Sequence, residues 1–167
     1  GKWFNHTYLQ ELPDMELAQL FKPVLEANGV NPADFSDEYI AQAVGLVKGR
    51  INFVKDLWEQ AKFFFVAPTE YDPKAVKKRW SPETPQYLNE LIEVMDGVAD
   101  FGGAETEPAV LAHINEHGYH LGNVMNAFRL TLVGECKGPH IFDITKLLGK
   151  EETFRRMRKG IEEIKAE

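Results

Sequence analysis

Apolar residues recur every three or four positions along most of this chain and never alternate convincingly, a pattern that confines it to packed helices. Leu17, Leu20, Phe21, Val24 and Leu25 form one such stripe, with Pro13 and Asp14 as helix-start signals. Pro23, which has no N–H to donate, is expected to kink or split that helix. Ile40, Val44, Val47, Ile51, Val54 and Trp58 form a longer stripe, the pattern of one helix or of two nearly collinear ones meeting at Gly49. Further stripes run through Leu88, Leu91, Ile92 and Met95, through Val110, Leu111 and Ile114, and through Phe154, Met157, Ile161 and Ile164.

One stretch reads two ways. RLTLVGECKGPHIF, residues 129 to 142, opens like a half-buried strand, but its register is inherited from upstream. Leu121, Val124, Met125, Phe128 and Leu132 lie in a narrow sector of a 3.6-residue helix, so RLTLV is expected to end a helix. Gly134 then suits the left-handed position past a helix end, and Pro139 the opening of the next helix. Arg129 falls about 80° from Leu121 at ~100° per residue, on the margin of the apolar face. A cation there snorkels or reaches into a groove.

A chain of 167 residues with 44% hydrophobic content, 11 Phe and 3 Trp has enough apolar mass for a core. No run approaches the apolar length of a membrane span, and no basic segment followed by an apolar one opens the chain, so a soluble, cytoplasmic protein without membrane partners is expected. The sequence begins at Gly1 rather than Met, the expectation being a piece of a longer protein. The lone Cys136 forms no internal disulfide and reads as a packed loop residue.

The chain is acidic overall, with 19 basic against 26 acidic residues, but the charges are unevenly spread. Residues 48 to 79 and 129 to 159 each carry 8 basic and 4 acidic residues, leaving 3 basic and 18 acidic residues elsewhere. Two locally positive faces on an acidic body suit selective contact with a polyanion.

Signs of catalysis are sparse. The sequence has no Walker-type GxxxxGK[ST], no GxSxG elbow and no GxGxxG fingerprint. In HINEHGYH, His113 and His117 share a helical face, but Gly118 is expected to end the helix before His120 joins them, so no metal site is expected. Glu105, Glu107, Glu151 and Glu152 read as helix-start carboxylates opposite the macrodipole rather than catalytic pairs.

Three motifs carry a resemblance. LGNVMNAFRLTLVGECKGPHIFDITKLLGKEETFRRM is similar to the late pattern of bacterial glutamyl-tRNA synthetases. There LG, a short helix, an Arg-containing apolar run, a Gly, a GP-type loop and LLGKE follow in order. WFNHTYLQ resembles that family's asparagine-centred opening after the catalytic domain, and GRINFVKDLWEQAKFFF its arginine-headed helix ending in an aromatic run. Over nearly its full length the chain resembles the C-terminal, anticodon-binding region of this family of class I ligases.

The resemblance implies an all-α architecture of two small helical subdomains, an anticodon-binding helical cage, preceded by a short remnant of the stem-contact segment. The expected division is residues 1–67 and 68–167, at the PTEYDP stretch that also reads as a linker. The parent enzyme joins glutamate to its tRNA with ATP and magnesium. This chain carries neither nucleotide-binding signature of the family, so it is expected to bind tRNA(Glu) as a monomer, without a cofactor, without catalysis and without affinity for DNA.

By resemblance, Arg50 stands where the family reads the first anticodon base, a cytosine, and Arg129, Gly138, Pro139 and Ile141 where it contacts the other two. A planar guanidinium suits that task, because unpaired bases expose acceptors in pairs. Gly138 departs from relatives that offer a hydroxyl, so contact there is expected from the backbone, aided by N–H groups opening the next helix. Lys62, Lys77, Lys78, Arg79, Arg155, Arg156 and Arg158 read as solvated or phosphate-facing cations, and Phe63 to Phe65 as a seam between subdomains. Two other classes fit the bare sequence: an all-helical protein-interaction module with an acidic docking face, and a small histidine-ligated metalloprotein.

Overall fold

The computed structural model describes residues 6–167; the WFN of the opening motif, residues 3–5, lies outside them. The described residues contain helices and turns and no strand. The chain divides into two compact units, Gly1–Val66 and Ala67–Glu167.

The first unit is built on two helices, α2 (Asp14–Ala27) and α3 (Asp37–Val47), preceded by the short α1 (His6–Glu11) and followed by α4 (Leu57–Ala61). Ser36 caps α3, accepting the Tyr39 N–H at 3.0 Å, and Asp37 and Glu38 sit in its first turn, where the macrodipole favours them. Leu17, Phe21 and Leu25 of α2 meet Ile40, Val44 and Val47 of α3, all fully buried. Each such side chain contributes roughly 1.5–3 kcal/mol of transfer free energy.

Of the kink or split expected at Pro23, the split does not occur, and α2 runs unbroken through that residue. Phe21 and Leu25 flank that proline and are both fully buried, and their packing offsets the missing hydrogen bond. Leu20 of the predicted stripe is exposed, and Ala18 takes its place in the core.

The long stripe from Ile40 to Trp58 is divided near Gly49, as one of its two expected arrangements has it, but by more than a simple junction. Helix α3 ends at Val47, and a single 3-10 turn, Lys48–Arg50, follows. Ile51 is then extended, at φ −120° and ψ 152°. Another 3-10 turn, Val54–Asp56, leads into α4, and the Asp56 carboxylate accepts the Phe53 N–H at 3.0 Å and the Asn52 N–H at 3.3 Å. That carboxylate stabilises a restart, and Gly49 does nothing to hold the helix through the break. Ile51 still reaches the core, which is why the apolar spacing survives the break.

The aromatic run also packs inside this unit. Phe63 and Phe64 are buried, and Phe65 makes edge contacts with Phe35 at 4.9 Å and Tyr39 at 5.7 Å. The Tyr39 hydroxyl donates to the Phe64 carbonyl.

The second unit holds α5 (Pro73–Arg79), α6 (Thr84–Asp96), α7 (Thr106–Glu116), α8 (Leu121–Val133), α9 (Ile141–Leu148) and α10 (Lys150–Glu163). Helix α8 packs against α5, α6, α7 and α10. Its buried residues are Val124, Ala127, Phe128, Leu130, Thr131 and Leu132, whereas Leu121, expected on the same face, is half exposed. The surrounding helices cover a wider arc than a single stripe, so small and polar side chains are buried too.

Helices α8 and α10 approach closely at one point. A Cβ on Gly160 would lie 2.5 Å from Thr131 Cγ2, so only glycine fits there. One turn away, the buried Arg156 donates to the Leu132 carbonyl at 2.8 Å and to the Glu152 carboxylate at 2.7 Å. A cation expected on a solvated face therefore caps the C-terminal end of α8.

Candidate nucleic-acid interface

Arg50 closes the Lys48–Arg50 turn at the end of α3 and is exposed. Its backbone is fastened on both sides by α1. Gln10 Nε2 donates to the Lys48 carbonyl, and His6 Nδ1 lies 2.7 Å from the Ile51 carbonyl. A carbonyl only accepts, so His6 carries its proton on Nδ1. The Lys48 ammonium pairs with Asp14 at 2.9 Å and donates to the Leu12 carbonyl at 3.2 Å. The turn is thereby tied to α2 as well, and the arginine is presented on a braced backbone rather than on a helix face.

The other predicted residues come together in the second unit, in the loop between α8 and α9. Gly134 takes the left-handed conformation at φ +88° and ends α8, as its sequence position predicts. Its N–H donates to the Leu130 carbonyl at 2.8 Å, and its carbonyl accepts the Asp72 N–H at 2.9 Å. A Cβ on Gly134 would lie 2.8 Å from the Glu70 carbonyl oxygen, so residues 68 to 72 are laid directly against this glycine.

Past Gly134 the chain is drawn back over α8. Arg129 Nη1 donates to the Pro139 carbonyl at 2.6 Å and approaches the Lys137 carbonyl at 3.5 Å. Pro139 and Ile141 are buried beneath the loop. Helix α9 starts at Ile141 with His140 as its N-cap, so Pro139 precedes the helix instead of opening it.

Gly138 has φ +124°, a conformation that strains any residue with a side chain. Its lack of a hydroxyl thus accompanies a backbone that suits glycine. His140 leaves the loop outward, with Nε2 2.9 Å from Glu107 of α7. Cys136 Sγ contacts the Asn126 carbonyl at 3.6 Å, and burial pushes its thiol above the ordinary range, so it acts as a packed residue.

The peripheral cations divide. Arg79 donates to the Asn123 side chain of α8 at 3.2 Å, Arg155 pairs with Glu152 at 2.6 Å, and Arg158 sits 5.6 Å from the Phe154 ring centre. Lys77 and Lys78 are exposed in the last turn of α5, where the macrodipole favours them. His6, Gln10 and Asp72, which hold the two sites in shape, have no local signature in the sequence, because their partners lie tens of residues away.

The histidine cluster folds differently from its sequence reading in one respect. Gly118 does end the α7 segment, at φ +67°, and His120 leaves to cap α8 through the Asn123 N–H at 3.0 Å. In its place Glu90 of α6 approaches His113 and His117.

Residues 16–161 match the family model of the anticodon binding domain. The chain is 55% identical over 165 residues to a glutamate–tRNA ligase of Bacteroides fragilis, covering 99% of this chain and 32% of that protein. It is 54% identical to one from Porphyromonas gingivalis, covering 97% and 32%. It also superposes, with a TM-score of 0.85, on the crystal structure of a glutamate tRNA ligase from Elizabethkingia meningosepticum in complex with its amino acid. That match has 41% identity and covers 96% of this chain and 31% of the other. The chain thus spans about a third of the length of the relatives it matches.

Proposed function

This chain belongs to the anticodon binding domain family, and from that premise we propose that it binds tRNA(Glu) and reads its anticodon as the C-terminal part of a glutamate–tRNA ligase. Identity above one half to two such ligases, over nearly all of this chain, is the observation that carries the reading. The ligase reaction, with its ATP and magnesium, falls to the remaining two thirds of the parent, and this chain alone catalyses nothing. The cytoplasm, a monomeric state and indifference to DNA complete the proposal.

In this reading, the chain works by presenting donors on braced backbone to bases already out of their stack. Arg50 meets the first anticodon base, its fork of N–H groups matching a pair of acceptors. In the second unit, the loop from Gly134 to Ile141 meets the other two bases through its backbone. Gly138 presents main chain, Pro139 and Ile141 hold that main chain up, and Arg129 ties the loop to α8. Residues 1–67 and 68–167 act as two anticodon-binding subdomains, the first led by the stem-contact remnant. Lys77 and Lys78 supply charge to phosphates without distinguishing sequence.

Fluorescence anisotropy of the chain with transcripts of tRNA(Glu), at several salt concentrations, tests the proposal. Binding that weakens with salt and falls by about 10–100-fold when the first anticodon base is changed supports it. Equal binding of both transcripts at every salt concentration overturns base reading.

A further inference from the structure

We propose that Glu90, His113 and His117 form a binding site for one divalent transition-metal ion of the zinc class, apart from the RNA-reading residues. His117, the C-cap of α7, lies one turn beyond His113, their ring centres 4.0 Å from each other. Glu90 comes from α6, and one ligand atom of each residue lies within 4.8 Å of the others. A tetrahedral shell with bonds near 2.0–2.1 Å puts ligand atoms roughly 3.4 Å apart, so small side-chain rotations close the site.

The groups behind the ligands are those a metal site needs. His117 Nδ1 donates to the His113 carbonyl at 2.8 Å, which fixes the tautomer and leaves the Nε2 lone pair for an ion. The Tyr119 hydroxyl donates to both oxygens of Glu90, at 2.9 and 3.1 Å, and Gln86 Nε2 donates at 3.0 Å. Burial pushes the Glu90 carboxyl up, but the hydrogen bonds from His113, Gln86 and Tyr119 outweigh it and hold the group below its ordinary range. Tyr119 is itself backed by the ring of Tyr87, with centres 4.1 Å apart.

His113 Nε2 lies 2.7 Å from Glu90 Oε1. With its proton on Nδ1, a neutral His113 offers the Nε2 lone pair, so the ion takes the place of the hydrogen bond between the two side chains. Two imidazoles and one carboxylate suit zinc, copper, nickel or cobalt, whereas magnesium and calcium prefer an all-oxygen shell. Three protein ligands leave the fourth position to water. The ion would tie α6 to α7 by a link between side chains.

Cobalt(II) titration followed by visible absorption, and zinc titration followed by calorimetry, test the site on the whole chain. One ion per chain is expected, with a tetrahedral cobalt spectrum and a zinc-dependent rise in Tm. His117→Ala removes a ligand from an exposed position and is expected to leave the metal-free Tm unchanged while abolishing the zinc-dependent rise. Tyr119→Phe is expected to weaken binding by about tenfold, as lost outer contacts do. No saturable binding in the millimolar range, or equal zinc affinity in His117→Ala, overturns the proposal.

Discussion

Arg129 and the Pro139 carbonyl are joined by a 2.6 Å hydrogen bond that spans the loop between α8 and α9. The side chain most open to being read as a base contact is thereby spent, at least at one nitrogen, on holding the loop that would meet the base. A positioning arginine and a reading arginine fail in different ways.

Arg129→Ala is therefore expected to loosen the loop before it alters any choice between bases. Losing a charge-assisted hydrogen bond to a carbonyl costs about 1.5–3 kcal/mol. Urea unfolding measures that loss, and amide exchange at Gly138 and His140 should speed up in the absence of RNA. An Arg129→Ala chain with unchanged exchange and stability, but blurred base preference, would assign Arg129 to direct reading instead.

At Arg50 the expected loss is in discrimination. Arg50→Ala should cost about 1–3 kcal/mol against tRNA(Glu) and much less against a transcript with a changed first anticodon base. Lys78→Ala should weaken every tRNA alike and lower the salt slope by about 1. Comparable patterns from the two variants would remove the distinction between reading and charge.

Gly134→Ala tests how much the linker depends on α8. The left-handed conformation alone costs a side chain about 1–2 kcal/mol. Gly29, at φ +80° with nothing within 4 Å of a Cβ, isolates that term. Gly134 adds the clash with Glu70 and Pro68, so its alanine variant should lose more stability than Gly29→Ala in chemical denaturation. Equal losses would mean that the linker moves aside.

The Glu152 carboxyl gives a pH signature. Burial pushes it up, but Arg155 and Arg156 outweigh burial and hold it below its ordinary range. A carboxylate depressed in the folded state adds stability above its unfolded pKa, and that stability is lost as pH falls through the folded value. The Tm gap between the parent chain and Glu152→Gln should therefore be full at neutral pH and shrink on acidification below about pH 4. A gap independent of pH would show that the ion pair contributes nothing through charge.

Helix existence was legible in the sequence wherever apolar spacing persisted, and the end of α8 was legible to the residue, because Gly134 carries its own backbone preference. The spacing left a junction at Gly49 open but not the extended residues beyond it, since Ile51 keeps its core position in an extended conformation. At Pro23 the helix is not split, a local penalty offset by packing on both sides. Arg50 and Arg129 were named from residue type and family resemblance. Their supports were hidden, because Gln10 and Lys48, or Gly134 and Asp72, are brought together only by the fold. Ile141 rests on the resemblance, which does not reveal that its side chain is buried beneath the loop. Glu90 escaped for a similar reason, sitting on a different helix from the histidines it meets.

The brace on Arg50 reaches upstream of the family's own boundary. The matched stretch begins at residue 16, whereas the hydrogen bonds holding the Lys48–Arg50 turn come from His6 and Gln10. A domain excised at the family boundary would keep the facing side chains of α2 and α3 but lose Leu9 from the core, and with it the hydrogen bonds on the Lys48–Arg50 turn. The segment upstream of the boundary thus serves the fold and the presentation of Arg50 at once.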